Sequence, residues 1–294
     1  VRSLVVVGNC QAESLRLLLG AGDVTSTRLP AVHELTEADL GPLRELLATT
    51  DLLVTQPIAD DYRGLPVGAR QLADQLPSSA THVVVPTLRY TGLHPHHLLV
   101  HPPGLDDPDP PLAPYHDVRT TVSAAWLRAG RPEPEQPGLE PDQVRAVTDA
   151  SVAELRRREQ RAGAVPASDL YDAPGLDHAR TINHPGMAVL VPFAARVRAA
   201  LGLPPADPGV TRPLLNAIHA PIEPAVVAAH GLPDPPRPHA DAWLVDGTAL
   251  PVATVREAHL AWYADRPAML DAALERSAEL RRTLGLRTPE DVAC

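Results

Sequence analysis

The chain has 294 residues, 44% of them hydrophobic, and a net charge of −10 at pH 7. That length supports one large core or two modest ones, while the negative balance excludes a nucleic-acid groove and a polybasic membrane patch. All 26 basic residues are arginine, which rules out a Walker-type phosphate lysine and a Schiff-base lysine.

Aromatic residues make up only 3%, so the core is built from Ala, Val and Leu. The 34 prolines cluster and punctuate loops. The two cysteines, Cys10 and Cys294, sit at opposite ends and make neither a disulfide framework nor a zinc site. The opening apolar run, Leu4–Val7, is too short for a signal-peptide core. No stretch approaches the roughly 20 apolar residues of a spanning helix. The expectation is a soluble, cytoplasmic protein without a metal.

Residues 4–7 read as a buried strand, and 12–20 as a helix with Leu15, Leu18 and Leu19 on one face. A second strand is expected within 25–30 and a helix over 37–50. A strand over 51–58, a helix over 65–77 and a strand over 81–90 follow. Strands alternating with helices predict a small parallel sheet in the N-terminal third, flanked by helices. After residue 100 the pattern turns helical, with helices at 117–130, 142–163, 186–203 (with a kink at Pro192), 222–232 and 255–286. The fold class is therefore α/β with a helix-rich C-terminal half. One domain is expected, 1–100 carrying the cysteine loop and 101–294 packing on it. The Ala/Leu-rich helices at 186–203 and 255–286 offer a surface for self-association.

Ligands of open parallel sheets bind beyond the carboxyl ends of the strands. Three polar loops leave strands there: residues 8–11, 55–64 and 86–95. Cys10 would stand at the positive end of the first helix, where the dipole and unpaired N–H groups favour a thiolate or an anion. An inert cysteine filling a tight turn fits equally well. A nucleophilic cysteine needs a base. Among 13 histidines, His184, beside Asn183 in "TINHPG", is the best placed; His94, His96, His97 and His219 are others. Arg63 is suited to hold a phosphate or carboxylate in bidentate fashion, or forms a local ion pair with its loop. Tyr90 and Thr91 could supply hydroxyls to a ligand. The run Arg156–Arg158 reads as a solvated helix face, with attraction of a phosphorylated cofactor as the alternative.

The pieces "VVVGNCQAESL", "TQPIADDYRG", "VPTLRYTGLHP" and "TINHPG", in that order, resemble the WcbI-type family of polysaccharide biosynthesis acetyltransferases over about residues 4–200. The resemblance implies coenzyme A binding and acetyl transfer from acetyl-CoA to a sugar hydroxyl of a cell-surface or capsular polysaccharide. It implies Cys10 and His184 as catalytic residues. Asn9, Gln11, Gln56, Tyr90 and His94 match other motif positions; if the chain transfers acyl groups, Asn183 is expected at the same site and Arg63 and Arg89 on the cofactor phosphates. Backbone N–H groups of residues 10–12 are expected to stabilise the oxyanion. Two other readings stay open: an SGNH-like esterase with cysteine in the nucleophile position, and a non-catalytic protein that binds CoA or a nucleotide.

Overall fold

Leu4, Val5, Val6 and Val7 are each at most 4% exposed, as an inner strand covered on both faces requires. They belong to β1 (Arg2–Val7). The structure is a computed structural model that describes residues 1–233 and 242–292; Cys294 lies outside them. After β1 come α1 (Cys10–Leu19), β2 (Val24–Thr27), α2 (Leu40–Leu47), β3 (Leu52–Thr55), α3 (Ala69–Ala73) and β4 (Thr81–Val84). Next are β5 (His97–Leu98), β6 (His116–Asp117), α4 (Val118–Arg128), α5 (Pro141–Ala162), β7 (Ala179–Thr181), β8 (His184–Pro185) and α6 (Met187–Ala200). The chain continues through β9 (Ile218–His219), α7 (Pro224–His230), β10 (Ala242–Val245), β11 (Thr248–Pro251), α8 (Val252–Ala264), α9 (Pro267–Arg276), α10 (Ala278–Leu284) and α11 (Pro289–Val292).

Two compact units emerge. The first comprises Val1–Arg89, Val152–Ala173 and Asn183–Leu215; the second comprises Tyr90–Ser151, Pro174–Ile182 and the chain from Asn216 onward. The first boundary between them falls at Arg89–Tyr90, and the chain returns to each unit twice.

The first unit is built on a parallel sheet of order β2-β1-β3-β4. From β1 the chain steps to one side to form β2, then crosses to the other side for β3 and β4. The order therefore reverses between β1 and β3, and ligands of such sheets bind at that point. On one face Val5, Val7 and Leu53 pack with Leu43, Leu47 and Leu72. Val6, Leu15 of α1, and Leu190 and Phe193 of α6 together line a small internal cavity. Helix α6 runs through Pro192 as one helix.

Arg198, 2% exposed, ties α6 to the end of α1. It donates to Leu19 O (2.7 Å), Pro204 O (2.9 Å) and Asp23 Oδ2 (2.7 Å). One side chain thereby satisfies a helix-terminal carbonyl that has no partner within its own helix. Glu159, also buried, accepts from Ala167 N, Ser168 N and Ser168 Oγ, each at 2.8 Å, and closes the turn after α5.

In the second unit, Val118, Val122, Trp262, Tyr263 and Leu270 of α4, α8 and α9 form one core cluster. A second gathers Tyr115, Ile218, Trp243 and Val255 beneath an antiparallel sheet of order β11-β10-β9. Sequence reading missed this sheet. Its hairpin turns on Asp246 and Gly247, both at positive φ (48° and 80°), the type of turn that Asp-Gly favours. The 255–286 stretch is resolved into parts of α8 and two further helices, because Pro267 and Ser277 interrupt it. No described helix is long and apolar enough to cross a membrane.

Candidate active site

The loop after β1 enters α1 without spare residues. Asn9 is the N-cap, its Oδ1 accepting from Gln11 N at 2.9 Å, and its carbonyl accepts from Ala12 N at 2.9 Å. Cys10 is the first residue of the helix. Across the switch point, Gln56 leaves β3 and grips the same asparagine: Gln56 Oε1 accepts from Asn9 N at 2.8 Å, and Gln56 Nε2 donates to Asn9 Oδ1 at 3.1 Å. Gly8 permits this approach. A Cβ there would lie 2.7 Å from Gln56 Oε1.

Gln11 is 4% exposed and holds two other segments of the chain. Its Nε2 donates to Leu88 O and to Asn183 O, both at 2.7 Å, and its Oε1 accepts from Leu88 N at 2.9 Å. The loop after β4 and the segment leading to His184 are thus fixed to the first turn of α1. The outcome is a pair: Cys10 Sγ stands 3.9 Å from His184 Nε2.

The thiol is reachable from solvent, yet protein surrounds it closely. Burial pushes its pKa up, and the Cys10 and Gln11 amides only partly offset this. The helix terminus therefore does not by itself make a thiolate, and an adjacent base is needed. The expectation that the N–H groups of residues 10–12 await an oxyanion needs correction: those of Gln11 and Ala12 are spent on Asn9. The Asn9 side-chain NH2 has no protein acceptor among the described residues, and its orientation follows from the bonds its Oδ1 accepts.

The other sequence-predicted residues divide. Asn9, Cys10, Gln11, Gln56, Asn183 and His184 come together in the first unit. Arg63, also in that unit, is exposed and donates to His33 O at 2.8 Å. Arg89 is exposed on the loop after Leu88. Tyr90 and His94 belong to the second unit and are buried at 1% and 2% exposure. Tyr90 packs against Gly92, burial raises its pKa, and His94 Nδ1 lies 3.1 Å from Pro221 O. Asp177 accepts from Arg180 at 3.2 Å.

Sequence reading passed over a groove beside the Leu88 loop. It has a volume of about 360 Å³ and is lined by Pro57, Pro86, Thr87, Arg158, Arg161 and Ala162. Arg158 turns inward from the arginine run while Arg156 and Arg157 pair at the surface with Asp172 and Glu154. Its Nε is buried without a hydrogen bond; the Glu154 carboxylate is 3.6 Å away. Burial is the main cause that lowers its pKa; the Arg89 charge adds to it, and the Glu154 and Glu159 carboxylates oppose it. The i, i+3 spacing of Arg158 and Arg161, which puts both on one helix face, was the available signal.

Fold and site together define an α/β protein whose cysteine–histidine pair sits at the carboxyl edge of a parallel sheet, at its switch point. The chain belongs to the WcbI family of polysaccharide biosynthesis enzymes, whose model matches residues 3–206. A solved structure described as WcbI, a novel polysaccharide biosynthesis enzyme, in a native form without a disulfide bond between CoA and one of its cysteines, superposes with a TM-score of 0.75. It is 20% identical over 97% of this chain and 98% of its own, a likeness of fold. No curated protein matches.

Proposed function

We propose that this chain is a CoA-dependent acyltransferase that moves an acetyl group from acetyl-CoA to a sugar hydroxyl in polysaccharide assembly. The observation that carries the reading is the 3.9 Å approach of Cys10 Sγ to His184 Nε2 at the sheet's switch point. Family membership supports the setting, and the similar structure's description names coenzyme A together with a cysteine.

The groove fits the phosphate end of the cofactor. A buried guanidinium Nε without a hydrogen bond, a second arginine and the Thr87 loop supply donors in a chain without lysine. Arg158 and Arg161 would hold phosphates, with Arg89 nearby. Leu88 joins this loop to Gln11, and so to the turn that carries Cys10.

His184 takes the proton from the Cys10 thiol, and the sulfur attacks the acetyl carbonyl. The tetrahedral oxyanion is met by the Asn9 side-chain N–H and the Cys10 amide. Collapse breaks the thioester bond, and the leaving CoA thiolate takes the proton back from His184. In the second half, His184 removes the proton from a sugar hydroxyl, which attacks the Cys10 thioester. The acetyl group leaves on the sugar, and the released sulfur recovers the proton from His184. The raised thiol pKa gives His184 its task. The test is acetyl transfer from acetyl-CoA to a panel of monosaccharides by wild type, Cys10→Ala and His184→Ala. Transfer by wild type and its loss by more than about a hundredfold in each variant is the expected result. Hydrolysis of simple acetyl esters at equal efficiency without CoA would instead favour an esterase.

A further inference from the structure

The second unit contains a cavity of about 360 Å³, within the range of small-molecule sites. One wall is charged. Arg119 is paired with Asp117 (2.6 Å) and Glu223 (3.2 Å), and Glu223 also meets His96 at 2.8 Å. The side chains of Arg119 and Glu223 are 29% and 28% exposed, so this wall meets solvent. Two polar atoms of lining residues are buried without a hydrogen-bond partner among the described residues. One is Nδ1 of His97, a residue 6% exposed; the other is Oε1 of Gln136, whose Nε2 is spent on Arg119 O and Ser123 Oγ. Buried polar atoms are rarely left without partners unless something else satisfies them. Val252 and Val255 add apolar surface to the lining.

We propose that this cavity binds a neutral pyranose sugar. The lining carboxylates, Asp117 and Glu223, are balanced by the lining guanidiniums, Arg119 and Arg256, so neither an anion nor a cation meets an opposing net charge. Burial keeps His97 and His259 below the ordinary histidine range, so they add none at neutral pH. A planar base finds no platform. Trp243 is 3% exposed, its ring stacked with His97 at 4.9 Å and Tyr115 at 5.7 Å. No group of three or more metal-ligating side chains occurs among the described residues. Hydroxyl groups both donate and accept, as carboxylates, guanidiniums, an unpaired amide oxygen and an unpaired imidazole nitrogen together demand. Val252 and Val255 offer apolar contact to the C–H groups of the ring.

This inference rests on the second unit alone. The measurement uses the full chain carrying Cys10→Ala, so that neither acylation nor turnover intervenes. Methyl glycosides of glucose, mannose, galactose and N-acetylglucosamine are titrated by ligand-observed NMR beside glucuronate and glucosamine. At least one neutral glycoside binds saturably. Val252→Phe, which fills the cavity, weakens it by about tenfold or more, and Gln136→Leu by roughly fivefold. Absence of neutral glycoside binding at tens of millimolar overturns the proposal. So does preference for the charged sugars, or binding that neither substitution weakens. If Val252→Phe lowers the melting temperature, the Gln136→Leu titration decides.

Discussion

Asn9 and Gln56 hold each other through two hydrogen bonds, of 2.8 and 3.1 Å, across the point where the strand order of the sheet reverses. The residue before the cysteine is thereby fixed from a different strand, and the cysteine inherits its direction from a rigid element. The fit depends on Gly8. Gly8→Ala places a methyl group 2.7 Å from Gln56 Oε1 and displaces that side chain. We expect a loss of about 1–3 kcal/mol in stability, measured by urea unfolding, together with slower alkylation of Cys10.

Gln11 should behave as a positioning residue. Gln11→Ala leaves the Leu88 and Asn183 backbone groups without their buried partner. The expected cost is about 2–4 kcal/mol, with acyl transfer reduced further than the unfolded fraction explains, since His184 follows Asn183. Circular dichroism and single-turnover transfer separate the two effects.

The thiol titrates above its ordinary range because burial outweighs the helix-terminal amides. Iodoacetamide alkylation of Cys10 should therefore rise with pH and level off only above the ordinary thiol value. His184→Ala should slow the neutral-pH rate by roughly tenfold or more, because the nearest base is lost. A fast, pH-independent rate at pH 6–7 in the variant would contradict this.

Stability falls on mild acidification. Burial holds His97 and His116 down to about 4, against 6.5 for a free imidazole. Below pH 6.5 the unfolded chain takes up protons that the folded chain refuses, so stability decreases as pH falls from 6.5 to 4. Each histidine contributes on the order of 3 kcal/mol over that span. Asp117 adds a loss at lower pH. Burial alone would raise its carboxyl, but the Arg119 charge and hydrogen bonds hold it well below the usual range. Its stabilisation is present above the unfolded carboxylate value and disappears as pH falls toward the folded one. Melting curves from pH 7 to 4 check this; a flat profile above pH 5 would contradict it.

Arg198→Met removes three donors from buried or half-buried acceptors, Leu19 O, Pro204 O and Asp23. The expected loss is about 2–4 kcal/mol in urea unfolding, with alkylation of Cys10 unchanged in the folded protein.

Much of the first unit was legible in the sequence because its signals are local. The run Leu4–Val7 reads as an inner strand and the leucine spacing after it as a helix; that helix was expected from residue 12 and begins at Cys10, because Asn9 caps it. Tyr90 and His94 share a motif with the loop beside Gln11, yet they are buried in the second unit. A linear motif lists neighbours along the chain and does not record where the chain passes from one unit to the other. Arg158 was hidden in a run of three arginines, only one of which turns inward. The 242–251 hairpin carried an Asp-Gly signal, but its strands are four residues each and alternate weakly. The cavity residues His97, Asp117, Gln136 and Glu223 lie far apart in sequence, so only the fold assembles them.

The most direct measurement is the intact mass of wild type and Cys10→Ala after incubation with acetyl-CoA, beside calorimetric titration with CoA. The account predicts saturable CoA binding by both and one acetyl group added to wild type alone, lost again when an acceptor sugar is supplied. CoA binding and sugar acetylation that persist in Cys10→Ala, with no adduct in either protein, would contradict it.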